Sequence, residues 1–415
     1  MLFVAYVPMN TESTVTAQVR TEVRERFESG ESTVGTQKDS ALELEVAPTL
    51  RYDLLAQHGA DHLALLYTPR FILPNVAKTF QGDLSDRKDK FVPFQNGGFG
   101  IELERPRYRV MFYGFAAYGS VTTSALLVQK PWLGEGALPA VQPLLPSDRS
   151  DRFTLLFYQP QLGVALKLTP RVTLTPSVRY SSFGGADGSS RATIPRTEGP
   201  QAQVNLDVEV TRRDSFKTLV GGAYTSVLNA QLDVGGNFTG DRAGAPFSNG
   251  QVEERYVRKL SRTITGELAA GAIIAENRVQ GTRMYPTGEA NVAVQMRRTK
   301  LAVILRSTPW VNLFAGEFEP RTELSVGVFH DLSNTWRLRF QGTAARTLGN
   351  FDSISRYTIV VGDGAVGYKF TRELVVELGA RGGVQDFSNA TLDSNSNQFT
   401  FFGAFSYTPQ TPTRL

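Results

Sequence analysis

Three histidines, His58, His62 and His330, are the only imidazoles in the 415-residue chain, and cysteine is absent. Histidine is the usual general base and metal ligand at neutral pH. The sequence suggests no Ser or Asp partner for any of the three, and no HExxH, GxSxG or phosphate-loop pattern occurs. Glu43 and Glu45 stand two residues apart. On a strand that spacing puts both carboxylates on one face, about 7 Å apart, which would suit glycoside hydrolysis. The same spacing recurs on every charged strand face of this chain, so it singles out no site. "GGFGIELE" (97–104) clusters glycines, but it opens a strand rather than a helix and is no dinucleotide site. Without cysteine there is neither a disulfide framework nor a thiolate metal site. No enzymatic activity, cofactor or metal is expected.

The elements that carry these residues share one pattern. "ALELEVAPTLRYDLL" (41–55) alternates without a break: Leu42, Leu44, Val46, Pro48, Leu50, Tyr52 and Leu54 against Glu43, Glu45, Arg51 and Asp53. Strict alternation marks a strand with one apolar and one wet face. The pattern returns in 14–27, 201–212, 289–298, 335–344 and 373–384. About eighteen such segments can be drawn, most of them roughly 9–14 residues long, against about 5–6 for an ordinary strand. A propeller would repeat a motif every 40–50 residues or so, and none recurs. A segment of about 9–11 residues is what a tilted membrane strand needs.

The joints differ by side. One set is tight and polar, at 56–61, 104–107, 168–171, 211–215, 259–263, 297–300, 331–335 and 369–373. The other is longer and rich in Gly, Ser, Asp and Pro, as at 79–98, 181–200 and 232–250. Short turns on one side and long loops on the other are the plan of an outer-membrane barrel. The expected fold is all-β: a single closed antiparallel transmembrane barrel of about eighteen strands over 13–408. Residues 1–12 are expected to be a leader remnant or periplasmic segment, and 409–415 a periplasmic tail. In lipid every backbone polar group must be paired within the protein, so the sheet must close. Apolar faces then meet lipid. The expected lumen side chains are Arg20, Glu43, Glu45, Arg51, Asp207, Glu209, Glu289, Arg337, Arg339, Glu377 and Arg381. Glu377→Leu and Arg339→Leu are expected to leave assembly largely intact.

The last segment, "QFTFFGAFSY" (398–407), places Phe399, Phe401, Phe405 and Tyr407 on one face. It resembles the C-terminal insertion signal of Gram-negative outer-membrane β-barrel proteins, although here a tail follows the aromatic. The resemblance implies an integral outer-membrane location, a signal peptide absent or truncated in this sequence, and insertion by the barrel-assembly machinery. Its surroundings would be outer-membrane lipid and lipopolysaccharide.

Eighteen strands enclose an aqueous channel, since filled interiors belong to barrels of about eight. The net charge of +4 and the lack of a basic run with aromatics argue against nucleic acid. Mixed lumen charge suits a neutral or weakly charged sugar, monomeric or polymeric. The expectation is a channel for hydrophilic cargo, first a polysaccharide export port with periplasmic partners. The alternatives are a diffusion porin for small solutes and a structural or adhesive barrel with a blocked lumen. The third outer loop (122–151) is unusually apolar through Trp132, Leu133, Leu138, Leu144 and Leu145. It is the candidate constriction, with a surface role as the alternative.

Overall fold

The computed structural model describes residues 11–32, 35–56, 61–73, 92–122, 152–193, 195–232, 238–244, 246–277, 281–312, 317–347, 356–388, 393–408 and 413–414. The strands of the first half are β1 (Thr11–Ser32), β2 (Gly35–Ala56), β3 (Asp61–Tyr67), β4 (Arg70–Leu73), β5 (Val92–Glu104), β6 (Tyr108–Thr122), β7 (Arg152–Thr169), β8 (Val172–Gly185), β9 (Arg196–Glu209) and β10 (Asp214–Leu232). The second half adds β11 (Phe238–Ala243), β12 (Phe247–Lys259), β13 (Ile264–Asn277), β14 (Gly281–Gln295), β15 (Thr299–Asn312), β16 (Glu317–Asp331), β17 (Trp336–Thr347), β18 (Arg356–Lys369), β19 (Leu374–Ser388), β20 (Asp393–Tyr407) and β21 (Thr413–Arg414). One helical turn, α1 (Gly188–Thr193), follows β8.

Each strand pairs antiparallel with its neighbours in sequence, and β1 closes the sheet by pairing with β20 from Val19↔Tyr407 to Ser32↔Ser394. Strands β3 and β4 are one barrel strand broken at Thr68 and Pro69, since both lie between β2 and β5. Likewise β11 and β12 both pair with β10. The two-residue β21 only adds to the start of β1 at Thr14 and Val15. The described residues therefore form a closed antiparallel barrel of eighteen strands. The first begins at Thr11.

Exposure along the strands is the reverse of a water-soluble protein. On β19, Leu378 is 67% exposed while the adjacent Glu377 is 5% exposed. On β1, Val19, Val23 and Phe27 are exposed and Glu22 is buried between them in sequence. Leu338 and Phe340 on β17, and Phe399, Phe401, Phe405 and Tyr407 on β20, continue the outer apolar surface. Water outside would penalise this surface at every position, whereas hydrocarbon does not. The outer band is therefore a lipid face. Carboxylates interrupt it at Glu25, in the outward register between Val23 and Phe27 and opposite Leu42 and Phe401, and at Glu254, between Val252 and Tyr256 and opposite Thr218, whose hydroxyl donates to it at 2.5 Å.

The tight turns are built by a repeated device. Thr211 Oγ1 accepts hydrogen bonds from the N–H groups of Arg213 and Asp214, each at 3.0 Å. Ser261 Oγ accepts from Thr263 and Ile264, each at 3.1 Å. Ser333 does the same for Thr335 and Trp336, and Thr371 for Glu373 and Leu374. A hydroxyl two places after the strand thus satisfies the N–H groups that a reversing chain leaves unpaired. Ser261→Ala should destabilise the barrel by about 0.5–1.5 kcal/mol and Ser261→Thr should not. The denaturant midpoint in lipid vesicles reads the difference, and equal midpoints for both variants would show that the hydroxyl does not hold the turn.

Two expected long loops are shorter than the sequence suggests. In 181–200 the strand β8 runs on to Gly185 and β9 starts at Arg196, with α1 between them. In 232–250 the chain returns at once as β11 against β10. The strands here extend past the bilayer, as do the 22-residue β1 and β2, because about 9–11 residues suffice to span it. Beyond the lipid the apolar half of the alternation is no longer required, so the strand signal fades while the ladder continues.

Candidate functional site

The inner wall carries the charged half of the alternation, and register assembles it into networks. Arg20 of β1 donates to Glu377 of β19 at 2.9 Å and to Glu22 at 3.2 Å. Arg337 of β17 donates to the same Glu377. Arg381 donates to Glu22 at 2.6 Å, and its guanidinium lies 4.2 Å from the centre of the Phe402 ring. Arg339 pairs with Asp363 of β18 at 3.0 Å. On β12 to β15 Arg255 reaches Glu253, Glu267 and Glu289 at 3.0, 3.1 and 2.8 Å, and Arg306 donates to Glu289 at 2.7 Å. Arg109 and Tyr113 both donate to Glu102.

Of the expected lumen residues, Arg20, Glu377, Arg337 and Arg381 meet in one network. Arg339 stands beside it, and Glu289 belongs to the second. Glu43 and Glu45 share a face and are both buried, and Arg70 clamps Glu45 with two bonds of 2.6 Å. Arg51 donates to Asp53 at 2.6 and 2.9 Å, and His62 Nε2 lies 3.0 Å from the same carboxylate. Asp207 faces Lys217 and Thr173 across the ladder, and Glu209 faces Ser215 at the tight-turn rim. His330 also lies at that rim, with Nδ1 2.8 Å from Thr299 Oγ1. His58 and the loop residues Trp132, Leu133, Leu138, Leu144 and Leu145 lie outside the described residues.

Several partners were not legible beforehand. Glu22, Arg70, Arg255, Arg306 and Asp363 complete the networks, and each sits in a charged place of an alternating segment. What picks them out is register between strands, and one of these bonds joins residues 357 positions apart.

At the long-loop end the inner wall turns apolar. Phe115, Phe157 and Phe183 form a row of tilted and edge-to-face rings, with ring centres 5.5 and 6.4 Å apart, and Phe94 is also buried. A second cluster joins Val227, Phe247, Ala275, Tyr285 and Phe318. Between them lies α1. Arg191 anchors it by donating to Asp241 of β11 and to the carbonyl of Ala186, and Ser190 Oγ accepts from the Thr154 N–H at 2.8 Å. A side chain on Gly185 would come within 2.3 Å of the Ser190 backbone. Gly185 is on the same face as Phe157 and Phe183, so α1 lies on the inside of the barrel at its outer mouth.

A closed eighteen-strand barrel with a lipid face outside, charged networks inside, short turns at one end and loops at the other has the fold of the Gram-negative outer-membrane β-barrels. The tight turns are the periplasmic end. No protein-family model and no curated protein matches the chain. Among solved structures it is similar to the FrpB iron transporter from Neisseria meningitidis (F5-1 variant), with 8% identity and a TM-score of 0.48 over 89% of this chain and 64% of that one. The chain therefore spans less than two thirds of that transporter. It is similar also to Pseudomonas aeruginosa OpdQ, with 10% identity and a TM-score of 0.46 over 95% of this chain and 98% of that one. Pseudomonas aeruginosa OccK2 (OpdF) in complex with glucuronate has 10% identity and a TM-score of 0.45, over 94% and 98% of the two chains. These likenesses carry no argument about cargo.

Proposed function

We propose that the chain is a passive outer-membrane channel for small hydrophilic solutes. The observation that supports this reading is the size of the barrel together with its lining. Interiors filled by side chains belong to barrels of about eight strands, and eighteen strands lined with ionised networks enclose water. The ion pairs join strands that have one other strand between them, so they run along the wall rather than across the lumen.

The diffusion channel is preferred to the polysaccharide export port. A secreted polymer needs an unobstructed bore, whereas α1 and the two aromatic clusters stand on the inner wall of the outer mouth. Insertion through the aromatic strand β20 by the barrel-assembly machinery, and lipopolysaccharide around the outer end, are part of the same proposal. The purified barrel in planar bilayers should give discrete, ohmic conductance steps. A barrel that is folded by its heat-modifiable gel mobility yet gives no steps would favour the structural or adhesive alternative.

A further inference from the structure

The periplasmic mouth of the lumen contains a cavity of about 510 Å³ whose lining has a surplus of cations. Eight Arg and Lys side chains face three carboxylates there. Glu377 is engaged by Arg20 and Arg337, and Asp331 by Lys369 at 3.5 Å. Arg297, Arg298, Lys300 and Arg372 form no ion pair among the described residues. Elsewhere on the wall Arg255, Arg381, Arg109 and Arg51 each meet a carboxylate, while Arg179 bonds to Gln201. Charges of one sign around a walled, water-filled cleft reinforce one another and raise the local concentration of counter-ions.

The cavity also holds an exposed aromatic. Phe329 of β16 is 44% exposed and sits in the ladder between Lys300 of β15 and Arg339 of β17. It shares the inward register of Ser325 and Glu323, so its ring faces the lumen and not lipid. Cations on both sides of a bare ring make a site for a molecule with an acidic group and an apolar body.

From this arrangement we infer that the periplasmic mouth binds small organic anions, carboxylates with an apolar or aromatic body. The inference rests on the channel reading and adds a cargo class to it. The lumen-side placement of Lys300, Phe329 and Arg339 favours a solute over a phospholipid headgroup.

The test uses the detergent-solubilised full chain, titrated calorimetrically at low salt with benzoate, acetate, inorganic phosphate and benzylammonium. Benzoate should bind more tightly than acetate or phosphate, and benzylammonium should not bind. A variant carrying Arg297→Gln, Arg298→Gln, Lys300→Gln and Arg372→Gln should bind benzoate at least tenfold more weakly. All four positions are exposed, so folding should survive, and gel mobility checks it. Lys300→Gln alone should show part of the loss. Phe329→Ala should weaken benzoate towards acetate and leave acetate unchanged. Benzoate affinity untouched by the charge variants, or benzylammonium binding as well as benzoate, would overturn the inference. So would phosphate binding as tightly as benzoate, which would point to a bare headgroup-type site. Binding is read without conduction, so an inactive barrel that still binds benzoate would count against the channel reading and not against this site.

Discussion

Leu378→Arg is expected to be among the most damaging single substitutions in the barrel, while a change at the adjacent Glu377 costs much less. Leu378 is 67% exposed on the outer face and pairs with Val366 and Gly403. It lies four positions on from the start of β19 at Leu374, about 10 Å along the membrane normal for a tilted strand. That places it near the middle of the apolar band, where an arginine costs about 2–4 kcal/mol. Glu377 points the other way, but it is not the freely tolerant position that alternation alone implies. Arg20 and Arg337 both donate to it, so Glu377→Leu leaves Arg337 without its carboxylate and Arg20 with Glu22 alone. Arg337 is partly open to lumen water, which screens the loss to about 1 kcal/mol. Denaturant midpoints in lipid vesicles, with gel mobility as the folding check, should rank Leu378→Arg well below Glu377→Leu. The opposite ranking would mean that the faces are inverted.

The second large effect is expected at Gly185. A Cβ there would sit 2.3 Å from the Ser190 carbonyl carbon and 2.4 Å from the Arg191 nitrogen, both backbone atoms. No rotamer relieves such a contact, so Gly185→Val must displace α1 from the wall. The neighbouring Gly184 has φ of 141°, a conformation that other residues rarely adopt, so the corner cannot easily adjust by bending. Overpacking costs about 1–3 kcal/mol, and part of it is relieved if α1 leaves its seat. The barrel should therefore still form, with a wider outer mouth and a higher single-channel conductance. Arg191→Ala, which removes the anchor to Asp241 without a clash, should move conductance in the same direction. Unchanged conductance in both folded variants would show that α1 does not narrow the path.

The facing of strands was legible because it is local. A period of two reports which side of the sheet each residue takes, and Glu43, Arg337 and Glu377 could be set opposite Leu42, Leu338 and Leu378 from the string alone. The charged turns were legible for the same reason. The Ser and Thr hydroxyls that hold them were present in the quoted joints, but their role shows only with the N–H positions. Register is not local. That Arg20 would meet Glu377 depends on closure between the first and last strands, which no window of sequence contains. The mixed charge of the lumen suggested a neutral sugar. Once paired, most of that charge cancels, and the surplus concentrates at the periplasmic mouth around Lys300 and Arg372. The short helix α1 hid inside a Gly- and Ser-rich stretch because Ser190 and Arg191 act through tertiary bonds rather than through helix propensity.

Solute permeation is the most direct test of a passive channel. Proteoliposomes containing the folded barrel should swell in isotonic arabinose, glucose and sucrose, at rates that fall steeply with solute size, and should barely swell in a linear oligosaccharide of six or more units. Vesicles that swell in none of these solutes, or as fast in the oligosaccharide as in arabinose, would contradict a diffusion channel for small solutes.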